Sequence, residues 1–507
     1  MPSYPRPTRV PPTPLSAVAS RVDAAAQGDA SITVTGVTLV SADVRPGDLY
    51  AAVPGARRHG AEFVPAAVAA GAVAVLTDPA GARMLDTDVP VLVVDDPRAA
   101  LGGVSALVYG EPSGSLTVLG VTGTAGKTST VYLLEAGLRA AGVPAGLIGT
   151  VETRLGDLVV DSARTTPEAP DLHALFAAAV ERGIRAVAME VSSHALSLGR
   201  VSGVRFAVGG FTNFGLDHLD FHPDVDDYFA AKARLFDGRS AVEVINLDDP
   251  ALKGLIHSGT VTYSAAGDPA ATWRAADVTG SGYAQRFTAV GPSGAVSAGV
   301  SLPGRHNVAN ALLAIATLAA AGVDPQVAAD GVASCPGVPG RMERVGQIGP
   351  VLGVVDYAHK PDAIRAVLAA LREVADASGG RIICVLGAGG DRDQGKRPVM
   401  GEAAAAGADL LIVTDDNPRT EDPARIRAQV LAGVVTGEAI EIAGRRDAIA
   451  AAVERARPGD VVALLGKGHE RGQEVGGEVL PFDDRVELAA ALAARPDANI
   501  SGAGVAQ

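Results

Sequence analysis

Cysteine is nearly missing from this chain: 507 residues contain two, Cys335 and Cys384. That excludes a disulfide framework and a thiolate zinc site, and it fits a reducing cytosol. Aromatic residues make up only 4%, so the apolar share of 48% rests on alanine and aliphatic side chains. Excess positive charge is absent. A net charge of −14 argues against a nonspecific binder of nucleic acid or of an anionic membrane. No apolar run reaches the ~18 residues of a membrane span. Residues 63–76 and 309–323 come nearest, and Pro65, Gly71 and Asn310 interrupt them. The proline-rich residues 1–14 lack the apolar stretch of a signal peptide. Charged residues at 20% do not describe a disordered chain. The length suggests about three domains, with ample material for several cores.

What is present begins with Thr122-Gly123-Thr124-Ala125-Gly126-Lys127-Thr128. An apolar run, 116–121, precedes it and a helix-compatible stretch, 128–141, comes after. Strand, glycine-rich loop and helix in that order build a phosphate cradle. The glycines let backbone N–H groups turn inward, the helix N-terminus adds partial positive charge, and Lys127 adds a full one. Thr128 is placed to offer a hydroxyl to Mg²⁺. The Walker spacing is imperfect, because its leading glycine falls on Val121 while Gly120 sits one residue early.

The pattern divides into three segments, with expected boundaries at 1–108, 109–337 and 338–507. The first mixes short valine-rich strands with alanine-rich helices, and 109–115 reads as a linker. The second alternates strand and helix through 146–148, 171–183, 186–191, 206–211, 228–236 and 242–246. This predicts an α/β fold with a mostly parallel sheet and helices on both faces. Residues 259–301 read as an antiparallel side patch. Pro336-Gly337-Val338-Pro339-Gly340 marks the second boundary, beyond which alternation resumes in another αβα domain.

Candidate chemistry gathers at expected strand ends, where parallel sheets open their ligand crevice. Glu190 closes the run 186–190 and is a candidate Mg²⁺ ligand; a helix-capping acid is the plain alternative. Asp217-His218-Leu219-Asp220-Phe221-His222 comes after the strand 206–211. Lys232 by itself reads as a solvated helical lysine. Thr165-Thr166-Pro167-Glu168 suits a helix start. Asn307 and Asn310 suit either caps or hydrogen bonds to a purine. The third segment has three such loops: Gly387-Ala388-Gly389-Gly390-Asp391-Arg392-Asp393, Asp415-Asp416-Asn417-Pro418-Arg419 and Gly466-Lys467-Gly468-His469-Glu470. Two arginines there suit a ligand bearing carboxylates.

Taken together, TGTAGKT from 122, MEVSSHAL from 189, TNFGLDHLDFH from 212, AKARLF from 231, GRHNVANALLA from 304, GRMERV from 340, DYAHKPD from 356, GGDRDQGKRP from 389, DNPR from 416 and GKGHE from 466 resemble the Mur ligase family. The last three resemble its diaminopimelate-adding branch. The resemblance spans nearly the whole chain. It implies three domains: a smaller N-terminal α/β domain for the UDP part of a UDP-N-acetylmuramoyl-L-Ala-D-Glu substrate, a central P-loop-type domain for ATP, and a C-terminal Rossmann-like domain for diaminopimelate. Carried over residue by residue, Thr122, Gly123, Thr124, Ala125, Gly126, Lys127 and Thr128 hold ATP phosphates, with Asn307 and Asn310 near the nucleotide. Glu190, His218 and Thr128 organise Mg²⁺. Lys232 is the lysine the family carbamylates, which reverses its plain reading. Lys127, Lys232, Glu190 and His218 then form the catalytic set. Ser41, Thr165, Thr166, Ser192 and Arg200 meet the muramoyl dipeptide, and Arg392, Asp416, Asn417, Pro418, Arg419, Gly466 and Glu470 meet diaminopimelate. The chain departs from the family at Ala125 for an asparagine, at Leu198 for a glutamine, and at Val40-Ser41-Ala42 for Asp-Ser-Arg. The expectation is a cytoplasmic, monomeric ligase without membrane insertion or nucleic-acid partner. A lysine-adding or folate-extending ligase and a nucleotide switch are the alternatives. Against the switch, Asn246-Leu247-Asp248-Asp249 lacks the lysine of a guanine-reading loop.

Overall fold

The computed structural model describes residues 4–346 and 350–495. These form two compact units. One takes the described residues of Met1–Ala275 with Ala289–Val296 and Asn310–Val332. The other takes Ala276–Thr288, Ser297–Ala309 and the described part of Ala333–Gln507.

The first unit begins with a five-stranded sheet. Gly36–Thr38, Asp48–Ala52, Ala74–Thr77 and Val91–Val93 run parallel, and Ala26–Gln27 pairs antiparallel on the last. Helix Pro97–Val108 packs on it, capped by the Asp96 carboxylate on the N–H groups of Arg98 and Ala99. The N-terminal segment ties this sheet to the chain at Ala163. The Arg6 guanidinium grips both Asp48 oxygens, at 2.9 and 2.7 Å, and the Tyr4 hydroxyl accepts from Ala163 N at 3.2 Å. The stretch 109–115, expected as a linker, is partly packed: Tyr109 and Ser113 are buried, and Ser113 Oγ accepts from Arg205 N. Gly110, Gly114 and Ser115 remain exposed.

The central sheet runs Leu158–Asp161, Glu152–Leu155, Ala145–Ile148, Ala186–Glu190, Thr117–Thr122, Phe206–Phe211, Ser240–Asn246, Val261–Ser264, then Trp273–Ser281, Ala284–Gly291 and Gly294–Val300. From Ala145–Ile148 to the start of Trp273–Ser281 every pairing is parallel. Ala186–Glu190 is buried throughout, as a continuous apolar run with helices on both faces must be. Residues 259–301 correct the expectation in part. Val261–Ser264 joins the main sheet in parallel instead of standing in a separate patch, because Tyr263 reaches under the neighbouring strands to donate to Phe211 O and Thr212 O. From Thr117–Thr122 the chain moves first to one side of the sheet and later to the other. The loop after this strand therefore sits at a topological switch point.

In the second unit the strand order is Glu343–Val345, Leu352–Asp356, Val461–Leu465, Ile382–Leu386, Leu410–Val413, Ala439–Glu441. All but the first pairing are parallel. Leu465 lies opposite both Asp356 and Leu386, and Leu386 lies opposite Val413. Four strands thus end level, and the loops after them share one rim.

Candidate functional site

The phosphate loop is shaped by backbone. Gly123 has φ +140° and Gly126 φ +88°, values that L side chains rarely adopt. A Cβ on Gly123 would overlap Thr212 Oγ1. The next strand end clamps the loop: Thr124 N donates to Asn213 O at 2.8 Å, Ala125 N to Asn213 Oδ1 at 3.0 Å, and Thr212 Oγ1 to Ala125 O at 2.6 Å. The loop is thus held at residue 125 through its main chain, which alanine supplies. Helix Lys127–Ala140 starts at once.

Two lysines converge on this loop. Lys127 Nζ donates to Gly123 O at 2.8 Å and to Thr124 O at 3.1 Å. Lys232 Nζ donates to the same Gly123 O at 2.8 Å and stands 4.6 Å from the centre of the Tyr228 ring. Lys232 is 1% exposed, in helix Val225–Ala233, so it is not a solvated lysine. Two ammonium groups on one carbonyl concentrate positive charge where an anion would relieve it. Tyr228 reaches Thr124 Oγ1 at 3.1 Å, and burial pushes its phenol above the usual range. Asn310, in helix Arg305–Ala320, turns Oδ1 to the Cα of Gly126. Asn307, one turn earlier, donates to Pro303 O at 2.8 Å.

Glu190 is 1% exposed and connects two groups of expected residues. Its Oε1 accepts from Thr150 N at 2.7 Å and its Oε2 from Thr150 Oγ1 at 3.1 Å. Thr150 Oγ1 lies 3.0 Å from Thr165 Oγ1. Thr166 Oγ1 donates to Glu190 O at 2.9 Å and accepts from Ser192 N at 3.1 Å. Arg200 pairs with Glu168 at 3.0 Å, and burial lowers its guanidinium against the pull of that carboxylate. Thr165, Thr166, Ser192 and Arg200 are therefore one cluster. Ser41 stands apart, opening a short turn Ser41–Asp43 beyond the N-terminal sheet.

His218 has φ +53° and contacts Asp217 at 3.2 Å. Its ring meets His194 edge-on at 4.7 Å, and His194 stacks on Phe221 at 4.1 Å. Among the described residues no three His, Cys, Asp or Glu side chains gather as a ready-made metal cage. The Glu190 carboxylate and the Thr128 hydroxyl are oxygen donors of the kind Mg²⁺ takes, an ion that keeps several waters and shares its shell with substrate phosphates.

In the second unit the loops at the level rim meet as expected. Asn417 Nδ2 donates to Glu470 Oε2 at 2.8 Å, and a side chain at Gly466 (φ +114°) would strike Asp416 Oδ2. Arg419, at φ +52°, donates from Nε to Glu474 Oε2 at 3.0 Å and from Nη1 to Gly390 O at 2.6 Å. Its main chain also pairs with hairpin Gly472–Val475/Glu478–Pro481, through Arg419 N to Glu474 O at 2.9 Å. Pro418 is buried beneath, and Arg392 is exposed on the neighbouring loop. Burial drives His469 down to about 3 and His359 down to about 4, so both rings are neutral near pH 7.

Sequence reasoning missed several members. Thr150 carries no motif beyond its place after a strand. Lys467 stands inside the GKGHE motif without an assigned role. Arg397, fully buried, donates to Gly389 O at 2.9 Å and pairs with Glu421 at 2.8 Å, which fastens two of the rim loops. Glu474 lies in a hairpin that no local pattern announced.

Fold and site together define a multidomain α/β enzyme of the phosphate-loop class. Three family models match it in sequence order: the Mur ligase family catalytic domain at residues 33–109, the Mur ligase middle domain at 121–318, and the Mur ligase glutamate ligase domain at 340–468. The chain is 54% identical to a UDP-N-acetylmuramoyl-L-alanyl-D-glutamate–2,6-diaminopimelate ligase of Streptomyces avermitilis, over 97% of this chain and 98% of that protein. It is 53% identical to the protein of the same name in Streptomyces coelicolor, at the same coverage. A solved structure of a ligase with that name superposes with TM-score 0.67 at 32% identity, covering 92% of this chain and 96% of the other. The chain belongs to the Mur ligase family.

Proposed function

We propose that the chain is an ATP-dependent, ADP-forming ligase that joins diaminopimelate to the D-glutamate of UDP-N-acetylmuramoyl-L-alanyl-D-glutamate. It acts as a cytoplasmic monomer in peptidoglycan precursor synthesis. Among the described residues no helix is long and apolar enough to cross a membrane. The functional boundaries are 1–108 for the UDP part, 109–337 for ATP and 338–507 for the amino acid.

A carboxylate is a poor electrophile toward an amine, and phosphorylation supplies a leaving group. The D-glutamyl γ-carboxylate attacks the γ-phosphate of ATP, giving an acyl phosphate and ADP. The amine of diaminopimelate then attacks the acyl carbon, and the tetrahedral intermediate expels phosphate. The loop 122–128 orients the triphosphate, Lys127 neutralises charge on the transferring group, and Asn307 and Asn310 bound the nucleotide. Thr128, Glu190, His218 and Lys232 as its carbamate would hold Mg²⁺, whose charge stabilises phosphate oxygens. Ser41, Thr165, Thr166, Ser192 and Arg200 position the muramoyl dipeptide. Arg392 and Arg419 take the distal carboxylate and Glu470 the distal ammonium, with Asp416, Asn417, Pro418 and Gly466 lining the site. Lysine lacks that carboxylate and forgoes the charged hydrogen bonds of Arg392 and Arg419, which disfavours it.

The observation that carries the reading is the convergence of Lys127 and Lys232 on Gly123 O, in a chain whose other rim presents Arg419 and Glu470. Phosphate release tests it. Full turnover should need ATP, the UDP substrate and diaminopimelate together, and the product should be the amide. Nucleotide hydrolysis at the same rate without the other two would mark a switch instead.

A further inference from the structure

Lys467 has no part in the ligation steps, yet it is fully buried. A buried ammonium must spend its three donors on fixed acceptors. Here these are Gly472 O at 2.7 Å, Asn417 Oδ1 at 3.0 Å and Glu470 Oε2 at 3.1 Å. They come from three places: the loop after Leu410–Val413, the loop after Val461–Leu465, and the hairpin strand Gly472–Val475. Asn417 also donates from Nδ2 to the same Glu470 oxygen, and its Oδ1 accepts from Glu474 N at 3.0 Å. Glu470 Oε2 therefore holds two donors, while none of the described hydrogen bonds reaches Oε1. The Glu470 side chain is still 32% exposed, within reach of an incoming group.

We propose that Lys467 is a positioning residue for amine recognition. By fixing Asn417 and one oxygen of Glu470, it presents the other oxygen to the distal ammonium of the substrate. It thereby sets the preference for a diamino acid over an amino acid without the second amine. Without Lys467, Asn417 and Glu470 lose their common anchor and the carboxylate samples several rotamers. The inference rests on the ligase reading above and refines its amino-acid site.

The experiment compares diaminopimelate with 2-aminopimelate, which keeps both carboxylates and lacks the second amine. In Lys467→Met the kcat/KM ratio between the two should fall at least about tenfold, with 2-aminopimelate itself changing by less than about threefold. An equal fall for both substrates would show a merely structural lysine and overturn the proposal. Should that variant fail to fold, Glu470→Gln is compared with Lys467→Met/Glu470→Gln, in which no buried carboxylate loses its cation. If Lys467 acts through Glu470, the two share one ratio; a further fall of about tenfold in the double variant sinks the idea. Wild-type protein that ligates neither compound refutes the ligase reading itself. Wild-type ligation with an unchanged ratio in Lys467→Met refutes only the role of Lys467.

Discussion

The phosphate-loop rim and the C-terminal rim have the same architecture: parallel strands ending level, with loops at the carboxyl ends. They differ in what does the holding. At the first, side chains mostly hold main chain: Asn213 Oδ1 accepts from Ala125 N, Thr212 Oγ1 donates to Ala125 O, and both lysines donate to backbone carbonyls. At the second, side chains hold side chains, in the networks of Lys467, Asn417 and Glu470 and of Arg419 and Glu474. A backbone site constrains residue type only where φ or space demands it, which is why Ala125 is accommodated. A side-chain site depends on each partner, so single substitutions there should alter selectivity before they alter nucleotide binding.

The largest expected effect tests the exception at the first rim. Lys232 is a side chain whose chemistry matters, as a carbamate. Lys232→Ala should lower ligation by about 10³-fold, in line with the loss of a charge-stabilising group, and short carboxylic acids should restore part of it. Full activity without additive would refute the carbamate role. The next effect probes the second rim. Arg419→Ala removes a charged hydrogen-bonding group worth about 1.5–3 kcal/mol, so KM for diaminopimelate should rise roughly ten- to 150-fold. ATP affinity, measured by titration of the same variant, should stay within about twofold. Equal loss of both would erase the contrast between the rims.

The same contrast explains what the sequence made legible. The phosphate loop, its flanking strand and helix, and the alternation of strand and helix were readable because each depends on neighbours a few residues apart. Gly123, Gly126 and Lys127 are such a case. Glu190 and His218 were placed at strand ends by pattern, and the structure puts Glu190 on Thr150 and Thr166 as well. Lys232 looked like a solvated lysine until family resemblance reversed it, since helical periodicity does not say that its face meets Gly123. The links from Asn417 to Lys467 and from Arg419 to Glu474 span 50 and 55 residues. No local spacing encodes them; they exist because Val461–Leu465 inserts between earlier strands and carries its loop to theirs. The burial of Tyr109 and Ser113 in the stretch 109–115 was not legible, because turn-forming residues look alike whether they face water or a neighbouring domain.

The smallest effect concerns a carboxylate outside both rims, where burial rather than a partner governs. Asp171 lies in the first turn of helix Ala169–Glu181. Burial raises its carboxyl to about 6; Arg6 opposes the shift, while Glu168 and Asp43 add to it. An unfolded aspartate titrates near ~3.9, so between those values the folded chain binds more protons than the unfolded one. Stability from this group is complete below about pH 4 and lost as pH rises through 6. At pH 7.5 the ionised Asp171 should cost about 1–3 kcal/mol. Asp171→Asn should therefore stabilise the protein by about that much against urea at pH 7.5 and by almost nothing near pH 4, with kcat and KM unchanged. A gain that does not vary with pH, or a loss at pH 7.5, would mean that Arg6 holds Asp171 as a working ion pair. Asp171 would then belong with the partner-dependent side chains of the second rim, and burial alone would no longer separate it from them.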